Sequence, residues 1–162
     1  MGPGRNTQGG FTLVELVLVI VILGILAIGT SALFMTRGDL SASLVRDQLI
    51  SSVRLAQQSA LSKTQSSSVT HTLSLSGNQY RFNISHPAYT GVREIEGEGT
   101  TVTWSTTALT GSCASVAGTL PHTLSFDAGG NTPTVRYCIS GNREYSVCVS
   151  ETGFVYEGVC ET

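Results

Sequence analysis

The sequence predicts an α+β chain in which a long N-terminal helix, partly membrane-embedded and partly amphipathic, packs on a C-terminal antiparallel β head. Three observations predict it. An apolar run over residues 11–34 is followed by an apolar stripe with helical spacing. Beyond residue 68, short alternating runs are separated by Gly, Asn, Ser and Pro turn signals. Four cysteines, Cys113, Cys138, Cys148 and Cys160, all lie in the C-terminal third of the 162 residues. A chain of this length suits one domain with an appendage better than two domains.

The run FTLVELVLVIVILGILAIGTSALF makes about 36 Å of helix, enough to cross the hydrocarbon core of a bilayer. A secretory signal would carry its charges before a shorter apolar run and end at a small-residue cleavage site. Here a carboxylate, Glu15, sits inside the run as its one formal charge. An unpaired acid in lipid is costly, so Glu15 needs a cationic partner. Cleavage between Gly10 and Phe11 would supply one, because the new α-amino group would lie one helical turn from Glu15, on its own chain or a neighbour's. The competing reading is a plain anchor whose Glu15 lies at the membrane interface.

Beyond the run, Val45, Leu49, Val53, Ala56 and Ala60 form the apolar stripe of a helix that packs on the head. The opposite face carries Arg46, Asp47, Arg54, Gln57 and Gln58, either as a solvated surface or for neighbouring chains. No Pro interrupts residues 11–62, so one continuous helix of about 78 Å is expected. The divisions are a leader at 1–10, a membrane helix at 11–34, an amphipathic half at 35–62 and a β-rich head at 63–162.

After the polar break SKTQSSS, the runs VTHTLSL, QYRFNIS, TVTWS and HTLSF read as strands, and residues 89–100 as an exposed loop. TVRYCIS, REYSVCVS and FVYEGVC read as a three-stranded meander with turns at Gly141 and Gly153. If residues 139 and 145 face each other, Val135, Tyr137, Ile139, Tyr145, Val147 and Val149 share the core face, and Cys138 and Cys148 share the other. Those two cysteines then sit diagonally. Among three connectivities, Cys113 with Cys138 and Cys148 with Cys160 is preferred.

An even cysteine count beyond a membrane segment favours disulfides in an oxidising compartment. The cysteine intervals contain no CxxC pair, so zinc is disfavoured, and no cofactor is expected. Net charge is −2 with no basic patch, which argues against nucleic acid as a partner.

The segment GGFTLVELVLVIVILGIL resembles the type IV prepilin signature, with Gly before the cut, Phe after it and Glu five positions into the mature chain. The resemblance implies that a prepilin peptidase cuts after Gly10 and methylates the amine of Phe11, and that Glu15 pairs with a neighbouring subunit's N-terminus. It also implies an inner-membrane precursor with a periplasmic head, an assembly platform in the same membrane, and other major and minor pilins as partners. Two features depart from the family: Arg5 is the leader's one charge, and Ala32 stands where many major pilins have Pro. Gly24 and Gly29 lower helix propensity by about 1 kcal/mol each, marking where the helix could unwind in a filament. HTLSFDAGGN, followed by a meander containing SETGFVY, is similar to the H-type pseudopilins and FimT-like minor pilins. With RDQLISSVRLAQQSAL, the chain is most similar to minor pilins of mannose-sensitive haemagglutinin (MSHA) type pili.

Three function classes follow. A structural subunit that initiates or caps a filament needs shape and no chemistry, and since the tip subunits of the family it resembles often lack the acid, that resemblance implies a place just below the tip for a chain that retains Glu15. An adhesin or DNA receptor would use exposed loops such as 89–100, where Glu94, Glu96 and Glu98 would repel nucleic acid and match no EF-hand spacing. An enzyme would need a nucleophile beside a base, and His71, His86 and His122 are scattered. His71 reads as a core histidine, His86 as a turn residue before Pro87, and Trp104 as strand packing.

Overall fold

The computed structural model describes residues 12–30, 37–62 and 68–161, with backbone alone for 26–30 and 37–39. The chain forms two compact units, residues 1–35 and 36–162. The first holds α1, Leu13–Thr30. Its 18 residues rise about 27 Å, less than the roughly 30 Å of a hydrocarbon core. Among the described residues no helix is long and apolar enough to cross a membrane. Gly10, Phe11 and residues 31–34, which include Ala32, lie outside the described residues. So does the segment 31–36 on which a continuous 11–62 helix depends. Within α1 the helix runs through Gly24 and Gly29.

The second unit is α+β, a helix packed on two antiparallel four-stranded sheets. Its elements are α2 (Arg37–Leu61), β1 (Val69–Ser76), β2 (Gln79–His86), β3 (Tyr89–Glu96), β4 (Thr101–Ser105), β5 (His122–Phe126), β6 (Val135–Ser140), β7 (Glu144–Val149) and β8 (Val155–Glu157). One sheet has the order β3-β2-β1-β5 and the other β4-β6-β7-β8. Val45, Leu49, Val53, Ala56 and Ala60 of α2 are fully buried against the inner faces of both sheets. The first sheet contributes Val69, Leu73, Tyr80, Phe82, Ile84, Leu124 and Phe126 to this core. Each is placed by strand alternation, as in the burial of every second residue of β2.

The meander takes the expected register. Ile139 faces Tyr145, Tyr137 faces Val147 and Val135 faces Val149. Gly153 closes the β7–β8 turn at φ +77°, a backbone conformation that favours glycine, and a side chain there would also run into the carbonyl of Gly130.

One expectation is corrected. Residues 89–100 are not a loop: 89–96 form β3, an edge strand paired along its whole length with β2, and Glu94 pairs with Arg81 across that ladder. Its exposure on both faces leaves no period-2 signal in the sequence. On the polar side of α2, Asp47, Arg54 and Gln58 are exposed, and several of its side chains also reach the head. Arg46 lies 4.6 Å over the Tyr145 ring and pairs with Glu157 at 3.2 Å, Arg54 donates to the Val155 carbonyl, and Gln57 donates to the Thr152 carbonyl at 2.8 Å. These contacts lash α2 to the β7–β8 end of the second sheet. Because Leu49 touches this shared core, Leu49→Ala is expected to destabilise the head by about 3 kcal/mol. Urea unfolding of the full chain in detergent, followed by fluorescence of the sole tryptophan, Trp104, checks this.

Candidate functional site

The N-terminal unit and the head carry separate candidate features. In α1, Thr12 precedes the helix, its Oγ1 accepts from the Glu15 amide at 3.3 Å, and its carbonyl accepts from the Leu16 amide. This is the T-x-x-E arrangement of a helix start, a signal that TLVE carried in the sequence and that the leader-cleavage pattern overshadowed. Glu15 therefore stands in the first turn, where the helix dipole favours an anion. Around it Leu13, Val14, Leu16, Val17, Leu18 and their successors to Ile25 are exposed on every side of the helix. A helix apolar all round requires an apolar environment, lipid or other helices.

In the head, Cys113 is bonded to Cys138 and Cys148 to Cys160, and among the described residues there is no free cysteine. The first disulfide pins the 106–118 segment over the outer face of β6. Arg136, 2% exposed beneath it, donates to the carbonyls of Thr110 and Gly111 and to Ser146 Oγ. The guanidinium thus satisfies loop carbonyls, and β6 is buried on both faces.

The histidines bind elements together rather than facing a substrate. His71 Nε2 lies 2.8 Å from Ser52 Oγ, a Ser–His spacing of the kind a hydrolase uses. Both residues are buried, and among the described residues His71 Nδ1 has no partner to orient it, so the pair joins β1 to α2. His122 stacks on Trp104 at 3.7 Å and its Nδ1 lies 2.7 Å from Tyr137 Oη, joining β5 to the second sheet. Burial, with the nearby His122, pushes His71 down to about 4, and burial pushes His122 down to about 4. His86 Nδ1 accepts from the Ala88 amide in the β2–β3 turn, and its ring stacks on Tyr89. Among the described residues no three His, Cys, Asp or Glu side chains are grouped to hold a metal.

Fold and site thus define a helix-on-sheet head, held by disulfides, that follows in sequence an apolar helix with a single acid. Residues 5–31 match the prokaryotic N-terminal methylation motif, which places Glu15 and the helix around it inside a recognised segment. The match supports a type IV prepilin-like protein with a pilin- or pseudopilin-like, structural function. It implies processing by a prepilin peptidase and assembly with other pilins, and suggests a membrane-anchored precursor. No curated protein and no solved structure matches the chain.

Buried His71 and half-buried His122 set an acid limit on the head. Both are neutral in the fold, whereas an unfolded histidine takes up a proton near pH 6.5. Stability is fully present above that value and is lost as pH falls from about 6.5 toward about 4. His71 accounts for on the order of 3 kcal/mol of that loss. Urea unfolding at pH 7 and pH 4.5 checks this, and His71→Gln, which keeps an amide beside Ser52, should flatten the pH dependence.

Proposed function

We propose that this chain is the precursor of a minor structural subunit of an MSHA-like type IV pilus. A prepilin peptidase cuts between Gly10 and Phe11 and methylates the new amine. The span 11–34 then holds the subunit in the inner membrane, through a single pass, with its disulfide-bonded head in the periplasm. From there the assembly platform moves it into the filament, where Glu15 pairs with a neighbour's N-terminal amine and the subunit initiates or caps assembly. The observation that carries this reading is one carboxylate in the first turn of a helix otherwise apolar on every side, within the methylation motif. Such an acid is costly in lipid until a cation meets it, so the cation of the next subunit draws the helix into the bundle.

Cys113, Cys138, Cys148 and Cys160 fit a head that matures in an oxidising compartment, since both bonds close loops within one sheet region. The alternative destination is the pseudopilus of a type II secretion system, with this chain as an H-type pseudopilin. A surface role as adhesin or DNA-binding pilin is disfavoured by the strand structure of residues 89–96 and their acidic side chains.

Glu15→Ala is expected to lower the chain's amount in sheared surface filaments about ten-fold while leaving its membrane level unchanged. Mass spectrometry of the filament-borne chain should find Phe11 as a methylated N-terminus. Deleting the gene separates the destinations: loss of surface pili with normal exoprotein secretion fits the pilus, and loss of secretion with pili intact fits the pseudopilus. Equal amounts of wild-type and Glu15→Ala chain in filaments would sink the role given to Glu15.

A further inference from the structure

Four cysteines allow three connectivities, and loop closure alone does not choose among them, since a Cys138–Cys148 bond would close a loop about as short as that of Cys148–Cys160. The sheet removes one option. Cys138 faces Ser146 and Cys148 faces Arg136 across the β6–β7 ladder. The two cysteines are therefore diagonal neighbours, at a spacing of roughly 7–8 Å that a disulfide does not span without backbone movement. What remains open to the chain is which of the two takes Cys113, because both lie on the same outer face of the sheet.

Three consecutive carbonyls fix how the 106–118 segment crosses that face. The Leu109 carbonyl accepts from the Cys160 amide at 3.0 Å, and the Thr110 and Gly111 carbonyls accept from Arg136 Nη1 and Nη2 at 3.0 and 2.9 Å. Gly111, at φ +80°, then turns the chain, and Cys113 follows two residues on. The guanidinium is itself held, because Arg136 Nε donates to Ser146 Oγ at 2.7 Å. Ser146 is the residue opposite Cys138, so Arg136 leans from its own place opposite Cys148 toward the cysteine that Cys113 meets. Its Nη2 ends 3.7 Å from Cys113 Sγ. The buried guanidinium thus aligns the chain leading into Cys113 on Cys138, and Cys148 is left to Cys160.

We propose that Arg136 selects the disulfide pairing of the head: by holding the Thr110 and Gly111 carbonyls before any bond forms, it presents the Cys113 thiol to Cys138 rather than to Cys148. Arg136 is a positioning residue and takes no part in the oxidation. The oxidant is a small disulfide such as oxidised glutathione. One protein thiolate attacks it and releases a first glutathione thiol, and the second protein thiolate displaces the other glutathione. Two protein thiols thereby become one disulfide, and one oxidised glutathione becomes two thiols. Nothing in this choice depends on where the subunit assembles.

The test refolds the full chain, reduced in urea, into detergent with a mixture of oxidised and reduced glutathione, then alkylates free thiols and maps the disulfides by mass spectrometry. Cleavage at Asp127, Arg143 and Glu151 separates all four cysteines. The wild type should return Cys113–Cys138 and Cys148–Cys160. Arg136→Met, which keeps an unbranched chain but no donor, should raise the Cys113–Cys148 and Cys138–Cys160 forms about ten-fold. Ser146→Ala, which frees the guanidinium, should shift the pairing the same way to a smaller extent. Val116→Ala removes buried apolar contact from the same segment and leaves the Arg136 bonds in place, so its pairing should be that of the wild type. Native pairing in Arg136→Met would overturn the proposal, as would equal mispairing in Val116→Ala. A rise chiefly in Cys138–Cys148, the short loop that an unfolded chain closes, would also overturn it, because Arg136 would then be holding the fold and not choosing the partner.

Discussion

Everything in the head depends on one apolar stripe of α2 serving two sheets. Neither four-stranded sheet is closed, and each has an inner face of Val, Leu, Ile, Phe or Tyr that must be covered. Val45, Leu49, Val53, Ala56 and Ala60 cover both, and the small residues Ala56 and Ala60 let the helix approach the strands closely. Polar contacts then set how the helix lies: Ser52 on His71 and Ser59 on Tyr89 toward the first sheet, Arg46, Arg54 and Gln57 toward the second. Surface ion pairs of the Arg46 kind are each worth under about 1 kcal/mol, so they choose orientation while burial supplies stability.

The second sheet solves a different problem. β6 is central and has apolar or uncharged side chains on its inner face but Arg136 and Cys138 on its outer one. The 106–118 segment covers that outer face, and the Cys113–Cys138 bond holds it there. A guanidinium surrounded by loop carbonyls and a hydroxyl is a neutral-acceptor cradle, which gives an irregular segment hydrogen-bond partners that a regular strand would have supplied.

Much of this was legible in the sequence, and the reasons differ by element. The α2 stripe and the β6–β7 register could be read because a buried face imposes a period, as Val135, Tyr137 and Ile139 show. β3 could not be read, because an edge strand with Val92, Glu94 and Glu96 turned to solvent has no buried face to impose a period. The division into two sheets was also out of reach: β4 follows β3 in sequence yet pairs with β6, and β5 returns to β1, so the sorting is made by long-range partners. In the N-terminal unit the acid at Glu15 was plain, whereas its backbone bond to Thr12 was hidden by a pattern that explained the same residues in another way.

The positions of the two disulfides have a mechanical consequence. Both bonds lie between residues 113 and 160: the loops they close hold β5 with the start of β6, and the end of β7 with β8, and leave α2 and β1 to β4 without a disulfide among the described residues. A pull applied along α2 would reach the strands through its buried stripe, its side-chain hydrogen bonds and the chain leading into β1, with no disulfide to share the load. The seam between α2 and the sheets is therefore a part that no disulfide reinforces, while the two closed loops keep their ends joined under load.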